Sequence, residues 1–347
     1  MRALTAVIFG VLLAVALTPV SPVAGPYEDG LDAYHSGDYA TALRLWRPLA
    51  DQGNAAAQYD LGVMYYNGRG VQRGYTEAAS WYHLAAEQND IAAQYNLGVM
   101  YANGQGVPRD YAEAVKWYRL AAEQGDASAQ FNLGLMYVNG EGVPRDYAEA
   151  VKWYRLAAAQ INAGAQNNLG AMYYNGRGVP RDHAEAVKWY LLAAGQGHAV
   201  AQNNLGIMYE FGQGIRQDYI QAHMWFSLAA SRFPPGEDRD RAVQDRDRVA
   251  ALMTPAQITE AEKLAREWPQ REWRPRGTSP SEREASRLSG RTGAGNVGFS
   301  SSRARGCVSA AATFHLLHLA TNAKAADHLH EAVVVEAEPA EKTADPV

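Results

Sequence analysis

The chain has almost no cysteine, and this scarcity removes several kinds of protein from consideration. Cys307 is the only cysteine among 347 residues, so no disulfide can form within one chain. A lipoprotein needs a cysteine at the signal cleavage site, and Cys307 lies far from the N-terminus. We therefore do not expect lipid anchoring there, and we expect the fold to be stabilised by packing.

Charge of one sign and long apolar runs are also scarce. The formal net charge is −5 at pH 7, which implies no strong field for polyanions, and we expect no nucleic-acid partner. The apolar run 3–17 is shorter than the about 20 residues of a membrane span. With Arg2 before it and small residues after it, the run predicts a signal peptide over 1–24, with an uncleaved anchor as the alternative. We expect a periplasmic or secreted protein with no stable membrane span after signal cleavage.

What the sequence does contain is a pattern that returns every 36 residues. Residues 106–122 and 142–158 are identical. A Gly-x-Gly pair can cradle a phosphate, but a pair copied five times at one period indicates the joint of a repeat array. The five units are 55–90, 91–126, 127–162, 163–198 and 199–234, and their glycine pairs are Gly68/Gly70, Gly104/Gly106, Gly140/Gly142, Gly176/Gly178 and Gly212/Gly214.

Each unit is predicted to form two helices, which in the second unit cover 92–103 and 111–123. Gly104 is placed to end the first helix in a left-handed conformation. Gly98 lies inside the first helix and has a glycine counterpart in every unit. Because a glycine within a helix costs about 1 kcal/mol relative to alanine, its repetition indicates the close approach of another helix.

The second helix begins with a capping signal and carries one apolar face. Asp110 and Glu113 have the spacing of a capping box. Trp117 and Tyr118 share a face with small alanines. We expect both large rings to pack against shallow pockets on the neighbouring unit.

The stretch "AQYNLGVMYANGQGVPRDYAEAVKWYRLAAEQGD" resembles the Sel-one-like repeat (SLR) family of the tetratricopeptide-like superfamily. The resemblance covers 55–234. It implies an all-α fold, a right-handed α-solenoid of antiparallel helix pairs. It also implies a scaffold that binds proteins or peptides, often in periplasmic or secretory-compartment signalling. Cysteine-rich relatives tie each unit with a disulfide, which this chain cannot do.

The ends of the array depart from the pattern, as capping units do. Residues 25–54 are interpreted as a degenerate tetratricopeptide-like repeat, because their loop is shorter. Residues 235–269 are predicted to form two capping helices, about 237–252 and 255–267, with charges on a solvated outer face. Residues 270–347 are predicted to be disordered. This tail could be merely solvated, could contact anionic lipid or polysaccharide, or could have no selected function.

Comparison of the units with each other suggests a binding surface. Positions that stay constant serve packing, whereas positions that vary are free to meet a partner. In tetratricopeptide-like arrays the first helices line a concave groove, so we expect a protein or peptide ligand there. Aromatic side chains would anchor the ligand and a ladder of amides would bond its backbone. The candidate residues are Tyr59, Tyr66, Tyr95, Asn96, Phe131, Asn132, Asn168, Tyr174 and Asn204.

The ladder begins at Asp60 and continues through asparagines in the later units. Its alternative role is internal, bridging or capping neighbouring helices. The variable rows also include Asn167, Asn203 and Glu210.

Chemistry-bearing motifs are sparse. The sequence has no Ser-x-x-Lys and no Gly-x-Ser-x-Gly, so we expect no catalytic residue and no cofactor. His315 and His318 could belong to a metal cluster, but helical histidine pairs are weak evidence, and we expect no metal site. The sequence predicts an exported scaffold for protein–protein interaction, such as a periplasmic regulator or an envelope-assembly adaptor. The alternatives are a β-lactam-interacting enzyme and a glycan-binding protein of the cell envelope.

Overall fold

A computed structural model describes residues 25–268, and all regular secondary structure in this part of the chain is helical. The predicted signal peptide and the predicted disordered tail lie outside the described residues. None of the helices in 25–268 is long and apolar enough to cross a bilayer. The helices are α1 (Pro26–His35), α2 (Tyr39–Asp51), α3 (Ala55–Asn67), α4 (Tyr75–Glu87), α5 (Ile91–Asn103), α6 (Tyr111–Glu123), α7 (Ala127–Asn139), α8 (Tyr147–Ala159), α9 (Ala163–Asn175), α10 (His183–Gly195), α11 (Ala199–Phe211), α12 (Tyr219–Arg232), α13 (Glu237–Ala250) and α14 (Pro255–Glu267).

The contacts divide the chain into two units, of which the first ends at Ala93 and the second begins at Gln94. In the first unit α1 packs on α2 and α3 on α4, and α2 also packs on α3. In the second unit α7 packs on α8, α9 on α10 and α11 on α12, and each second helix also packs on the next first helix. The expected fold class, an α-solenoid of antiparallel helix pairs, is confirmed.

The glycine pairs lie in the loop between the two helices of a repeat, and the second glycine contacts the preceding repeat. Gly140 ends α7 with a left-handed φ of 74°, and its N–H donates to the Met136 carbonyl over 2.9 Å. Gly142 also has a positive φ, of 70°. A Cβ on Gly142 would collide with the backbone carbonyl of Tyr111, at the start of the preceding second helix. The second glycine is therefore required by the contact between repeats, and its interpretation as a joint is confirmed.

The aspartate caps of the second helices are simpler than a capping box. The Asp146 carboxylate accepts from the Glu149 N–H over 3.0 Å, as expected of a cap. The Asp146 N–H, however, donates to the Tyr137 carbonyl over 2.9 Å, and the Glu149 carboxylate pairs with Lys152 over 2.6 Å. The expected capping box is therefore wrong in its second half, because the turn already satisfies the N–H that glutamate would bond.

Tyr154 packs both within its own helix pair and on the following repeat. Tyr154 is fully buried, and a Cβ on Gly134 of the same repeat would lie 2.5 Å from its Cε1 atom. The expected close approach at the mid-helix glycine is thus confirmed, and the tyrosine also packs on the following repeat, in one core cluster with Ala165, Leu169 and Met172. Trp153 is only half-buried and contacts the core cluster that contains Tyr118 of the preceding repeat. The expected packing on a neighbouring unit is therefore confirmed for both rings, with the tyrosine on the following repeat and the tryptophan against the cluster that contains Tyr118 of the preceding one.

The last two helices cover the end of the second unit. The Arg248 side chain of α13 makes two hydrogen bonds, 2.9 and 2.7 Å long, to the buried carboxylate of Glu210 on α11. The Trp268 ring, just after α14, meets Trp225 edge to face at 4.6 Å between centroids. The charges of α13 therefore do not all lie on a solvated face, because one of them pairs with a buried carboxylate.

Candidate functional site

The aromatic candidates on the first helices are half-buried and lie on the tyrosines of their own pairs. Tyr95 on α5 lies 6.1 Å from Tyr118 on α6, measured between ring centroids. Phe131 on α7 lies 6.0 Å from Tyr154 on α8. In the first unit the ring centroid of Tyr59 on α3 lies 5.7 Å from that of Tyr82 on α4. One side of each ring is therefore used for packing.

Three of the asparagines in the second unit form a continuous hydrogen-bonded chain. The Asn204 amide donates to the Asn167 carbonyl oxygen over 3.3 Å, and the Asn167 amide donates to the Asn168 oxygen over 3.2 Å. The Asn168 amide then donates to the Tyr154 hydroxyl, also over 3.2 Å. All four side chains are buried. The chain runs across α8, α9 and α11, so these asparagines bridge helices in the way that the internal alternative requires.

Asn96 and Asn132, the two remaining amides of the ladder, differ in their exposure to solvent. Asn96 is buried, whereas Asn132 is half-buried. Burial raises the pKa of Tyr118 well above its usual value, and a hydrogen bond from Asn132 lowers it in part. The Asn132 amide thus bonds a core hydroxyl while part of its residue stays exposed.

Hydrogen-bonding capacity is left over at the C-terminal end of the ladder. The Tyr190 hydroxyl is the counterpart of the Tyr154 hydroxyl, but Asn204 donates to Asn167 and not to it. Among residues 25–268, neither the Tyr190 hydroxyl nor the Asn203 Oδ1 atom has a hydrogen-bond partner. Asn203 as a residue is half-buried, whereas its unbonded Oδ1 atom is buried.

The second variable row is largely occupied by contacts within the protein. In the first unit Tyr66 meets Tyr75 edge to face at 5.1 Å. The Tyr174 hydroxyl donates to the Gln213 side chain over 3.0 Å, and its ring stacks on His183 at 4.8 Å. Glu210 is covered by Arg248, as described above. This row therefore offers less free surface than the row that contains Phe131 and Asn203.

Asp60, which starts the ladder in the first unit, is a buried carboxyl. It is 7% exposed and accepts a hydrogen bond from the Tyr27 hydroxyl over 2.8 Å. Burial raises its pKa to about 7, against the lowering effect of Tyr27, and the nearby Asp90 raises it further. Asp60 therefore links α3 to α1 through an internal hydrogen bond, and its charge changes near neutral pH.

A ladder of glutamines was missed by the sequence analysis. The buried Gln130 donates to the Ala122 carbonyl over 3.0 Å and accepts from Gln160 over 2.9 Å. Gln166 repeats the arrangement with Ala158 and Gln196. The constant glutamines at the 36-residue period were the available signal. The buried members are Gln58, Gln94, Gln130, Gln166 and Gln202, and their partners in the first four cases are Gln88, Gln124, Gln160 and Gln196.

The described residues offer little for catalysis or metal binding. Ser227 Oγ lies 3.5 Å from His223 Nδ1 but donates to the His223 backbone carbonyl over 2.8 Å. Burial lowers the pKa of His223, and the nearby Arg246 lowers it further. Within 25–268, no three His, Cys, Asp or Glu side chains come together in a way that could hold a metal ion. The arrangement is suited to hydrogen bonding and packing.

Comparisons with known proteins agree with this geometry. The model of the Sel1 repeat family matches residues 24–54, 55–90, 91–126, 127–162, 163–198 and 199–232. No curated protein matches the sequence.

Two solved structures share both sequence and fold with the chain. A Sel1 repeat protein from Oxalobacter formigenes is 32% identical over 73% of this chain and all of its own, with a TM-score of 0.61. A protective antigen present in uropathogenic Escherichia coli strains, which displays an SLR fold, is 39% identical with a TM-score of 0.63. That match covers 71% of this chain but only 53% of the antigen, so the chain spans about half of the antigen's length. The chain belongs to the Sel1 repeat family, whose members are typically non-catalytic scaffolds that bind proteins.

Proposed function

We propose that the chain is an exported scaffold that binds an extended peptide segment of a partner protein along the first helices of the second unit. The observation that carries the proposal is that two amide residues of the first helices, Asn132 and Asn203, stay partly exposed beside the buried chain of amides. An amide side chain can both donate and accept, so it matches the alternating groups of a peptide backbone. Half-buried Phe131, which occupies the position of Asn203 two repeats earlier, would hold an apolar side chain of the ligand.

The proposed setting is the periplasm or the cell exterior. It rests on the signal-like residues 1–24, with Arg2 ahead of the apolar run. The similarity to a protective antigen supports the same setting, because such an antigen is met by the host. In this setting the chain would act as a regulator or as an adaptor in envelope assembly, through recognition and without chemistry.

The proposal is tested with short random peptides displayed on phage and selected on the purified chain. The groove variant carries Asn132→Ala and Asn203→Ala, which remove the two half-buried amides. The matched control carries Lys116→Ala and Lys152→Ala, two exposed changes on second helices. Thermal unfolding confirms that all three proteins are folded before binding is compared.

We expect selected peptides to bind the parent and the lysine control equally and to lose at least about tenfold in affinity on the groove variant, since each lost hydrogen bond is worth about 1 kcal/mol. Equal binding to all three would place the interface on another face. Failure to select any peptide would contradict peptide recognition and favour a glycan or a small molecule as ligand.

A further inference from the structure

A second candidate site lies away from the amide ladder, at the C-terminal end of the second unit. It is a groove of about 1100 Å³ between α10, the loop before α12, α12 itself and α14. Leu191, Met224 and the two tryptophans Trp225 and Trp268 form its apolar walls. None of the ladder asparagines lines this groove.

The apolar wall is specific to this repeat. Leu191 occupies the position of Arg119 and Arg155, whose guanidinium groups donate to the hydroxyls of Tyr137 and Tyr173 over 2.7 and 2.8 Å. Where those arginines cover the surface, Leu191 leaves it open and apolar. The groove is therefore not a general property of the repeat.

A second position changes in the same direction. Met224 occupies the position of the lysines Lys116, Lys152 and Lys188, and it is only 2% exposed. Two cationic positions of the earlier repeats have thus become apolar on facing helices of one groove. Burial of apolar surface is the main source of affinity for ligands of this character.

Packing of α14 accounts for these changes only in part. Trp268 and Leu264 contact the same core cluster as Leu191, and Trp268 covers Trp225. A groove of about 1100 Å³ nevertheless remains beside them. The Trp225 indole N–H is also buried without a hydrogen-bond partner among the described residues.

The rim of the groove carries Arg216, a cation one position earlier than the arginines Arg109, Arg145 and Arg181 of the preceding loops. Arg216 stands where the corresponding loops have Pro108, Pro144 and Pro180. It is exposed, and no described residue forms an ion pair with it.

The other charges of the lining are already engaged. Lys188 pairs with Glu185 over 2.6 Å. The Asp218 carboxylate caps α12 by accepting from the N–H groups of Ile220 and Gln221, over 2.9 and 3.1 Å. The rim therefore presents one free positive charge above an apolar wall.

We propose that this groove binds a small amphipathic anion, a carboxylate with an apolar chain or ring. The apolar body lies against Leu191, Met224 and Trp268, and the carboxylate pairs with Arg216. A guanidinium can bond both oxygens of a carboxylate at once. The site is independent of the peptide-binding proposal.

The experiment measures the fluorescence of 8-anilinonaphthalene-1-sulfonate, an apolar anion, on the full chain, and its displacement by decanoate and by 1-decanol. Leu191→Arg restores the residue of the earlier repeats and fills the groove. Arg155→Leu is the matched control, because it makes the opposite change in a repeat without this groove. Arg216→Gln removes the charge and leaves the wall intact. Thermal unfolding shows whether each variant is folded.

We expect saturable binding to the parent and to Arg155→Leu, loss of binding with Leu191→Arg, and displacement by decanoate at lower concentration than by 1-decanol. Arg216→Gln should weaken decanoate binding about tenfold, as for one charge-assisted hydrogen bond. Absence of saturable binding to the full chain, or unchanged binding with Leu191→Arg, would overturn the site. Equal displacement by decanoate and 1-decanol would overturn the role of Arg216.

Discussion

The ring of Tyr154 lies against the backbone of Gly134, with no room for a Cβ atom between them. The same contact joins glycine and tyrosine in three other repeats, and in the last repeat Phe226 replaces the tyrosine. Because the side chain is fully buried, this contact sets the distance between the two helices of a pair. It also makes the glycine necessary despite its low helix propensity.

Gly134→Ala is therefore expected to destabilise the protein. The added methyl group would lie 2.5 Å from the tyrosine ring, and overpacking of this kind costs about 1–3 kcal/mol, more than the helix propensity gained. Urea unfolding measures the change. Gly195→Ala is the control, because Gly195 is exposed at the end of α10; it should be neutral or stabilising. A stable Gly134→Ala variant would show that the helices of a pair can separate at little cost.

Tyr154→Phe and Tyr190→Phe should differ although the two positions are equivalent. The first removes the acceptor of the Asn168 amide, and we expect a loss of about 1 kcal/mol in the free energy of unfolding. The second removes a buried hydroxyl that has no partner in 25–268, so the variant should be as stable as the parent or more stable. Chemical denaturation of both variants is sufficient. Equal losses would indicate that the Tyr190 hydroxyl is bonded, for instance to a buried water molecule.

Asp60 should make stability depend on pH. Its pKa is raised from 3.8 to about 7 in the folded protein, so the folded chain retains a proton that the unfolded chain releases. The contribution of Asp60 is fully present below about pH 4 and is lost as the pH rises through about 7. Asp60→Asn should therefore increase stability at pH 8 and flatten this dependence, whereas Asp32→Asn, at an exposed position, should not. Thermal melts between pH 4 and pH 8 measure this pH dependence of stability. If the slope of stability against pH were the same in Asp60→Asn and the parent, the raised pKa of Asp60 would be contradicted.

Arg248→Met should destabilise the C-terminal end of the second unit. It leaves the Glu210 carboxylate, which is 5% exposed, without its two hydrogen bonds. Bonds to charged groups contribute about 1.5–3 kcal/mol each at most, and less where one partner is exposed, as Arg248 is. The double variant with Glu210→Met should recover most of the lost stability, because no buried charge is then left without a partner. A double variant less stable than Arg248→Met alone would contradict this explanation. Hydrogen exchange of α13 locates the effect.

Much of the repeat could be read from the sequence because it depends on local chemistry. The helix-ending role of Gly140 follows from its permissive backbone, and the cap at Asp146 follows from the unpaired N–H groups of a helix start. The 36-residue period adds five internal observations of each position, which is why the helices lie within about one or two residues of their predicted bounds.

The candidate site could be predicted only in part. Variation among units placed Asn167 and Asn203 in one row, although the structure buries the first and leaves the second half-exposed. It could not show that Asn167 and Asn168 bond each other and Tyr154, because the direction of an amide depends on neighbours in other repeats. It also missed the glutamine ladder, since constant positions were assigned to packing in general.

The sequence by itself determined the repeat, its helix boundaries and the glycine joints, because each of these depends on backbone conformation and on apolar spacing along the chain. Only the tertiary structure decided which polar groups are satisfied and which remain free. It placed Tyr154 between its own pair and the following repeat, brought Arg248 to Glu210, and left a groove where Leu191 replaces an arginine. Those relationships join residues tens of positions apart, and their physical cause is the packing of side chains from different helices, which no local pattern specifies.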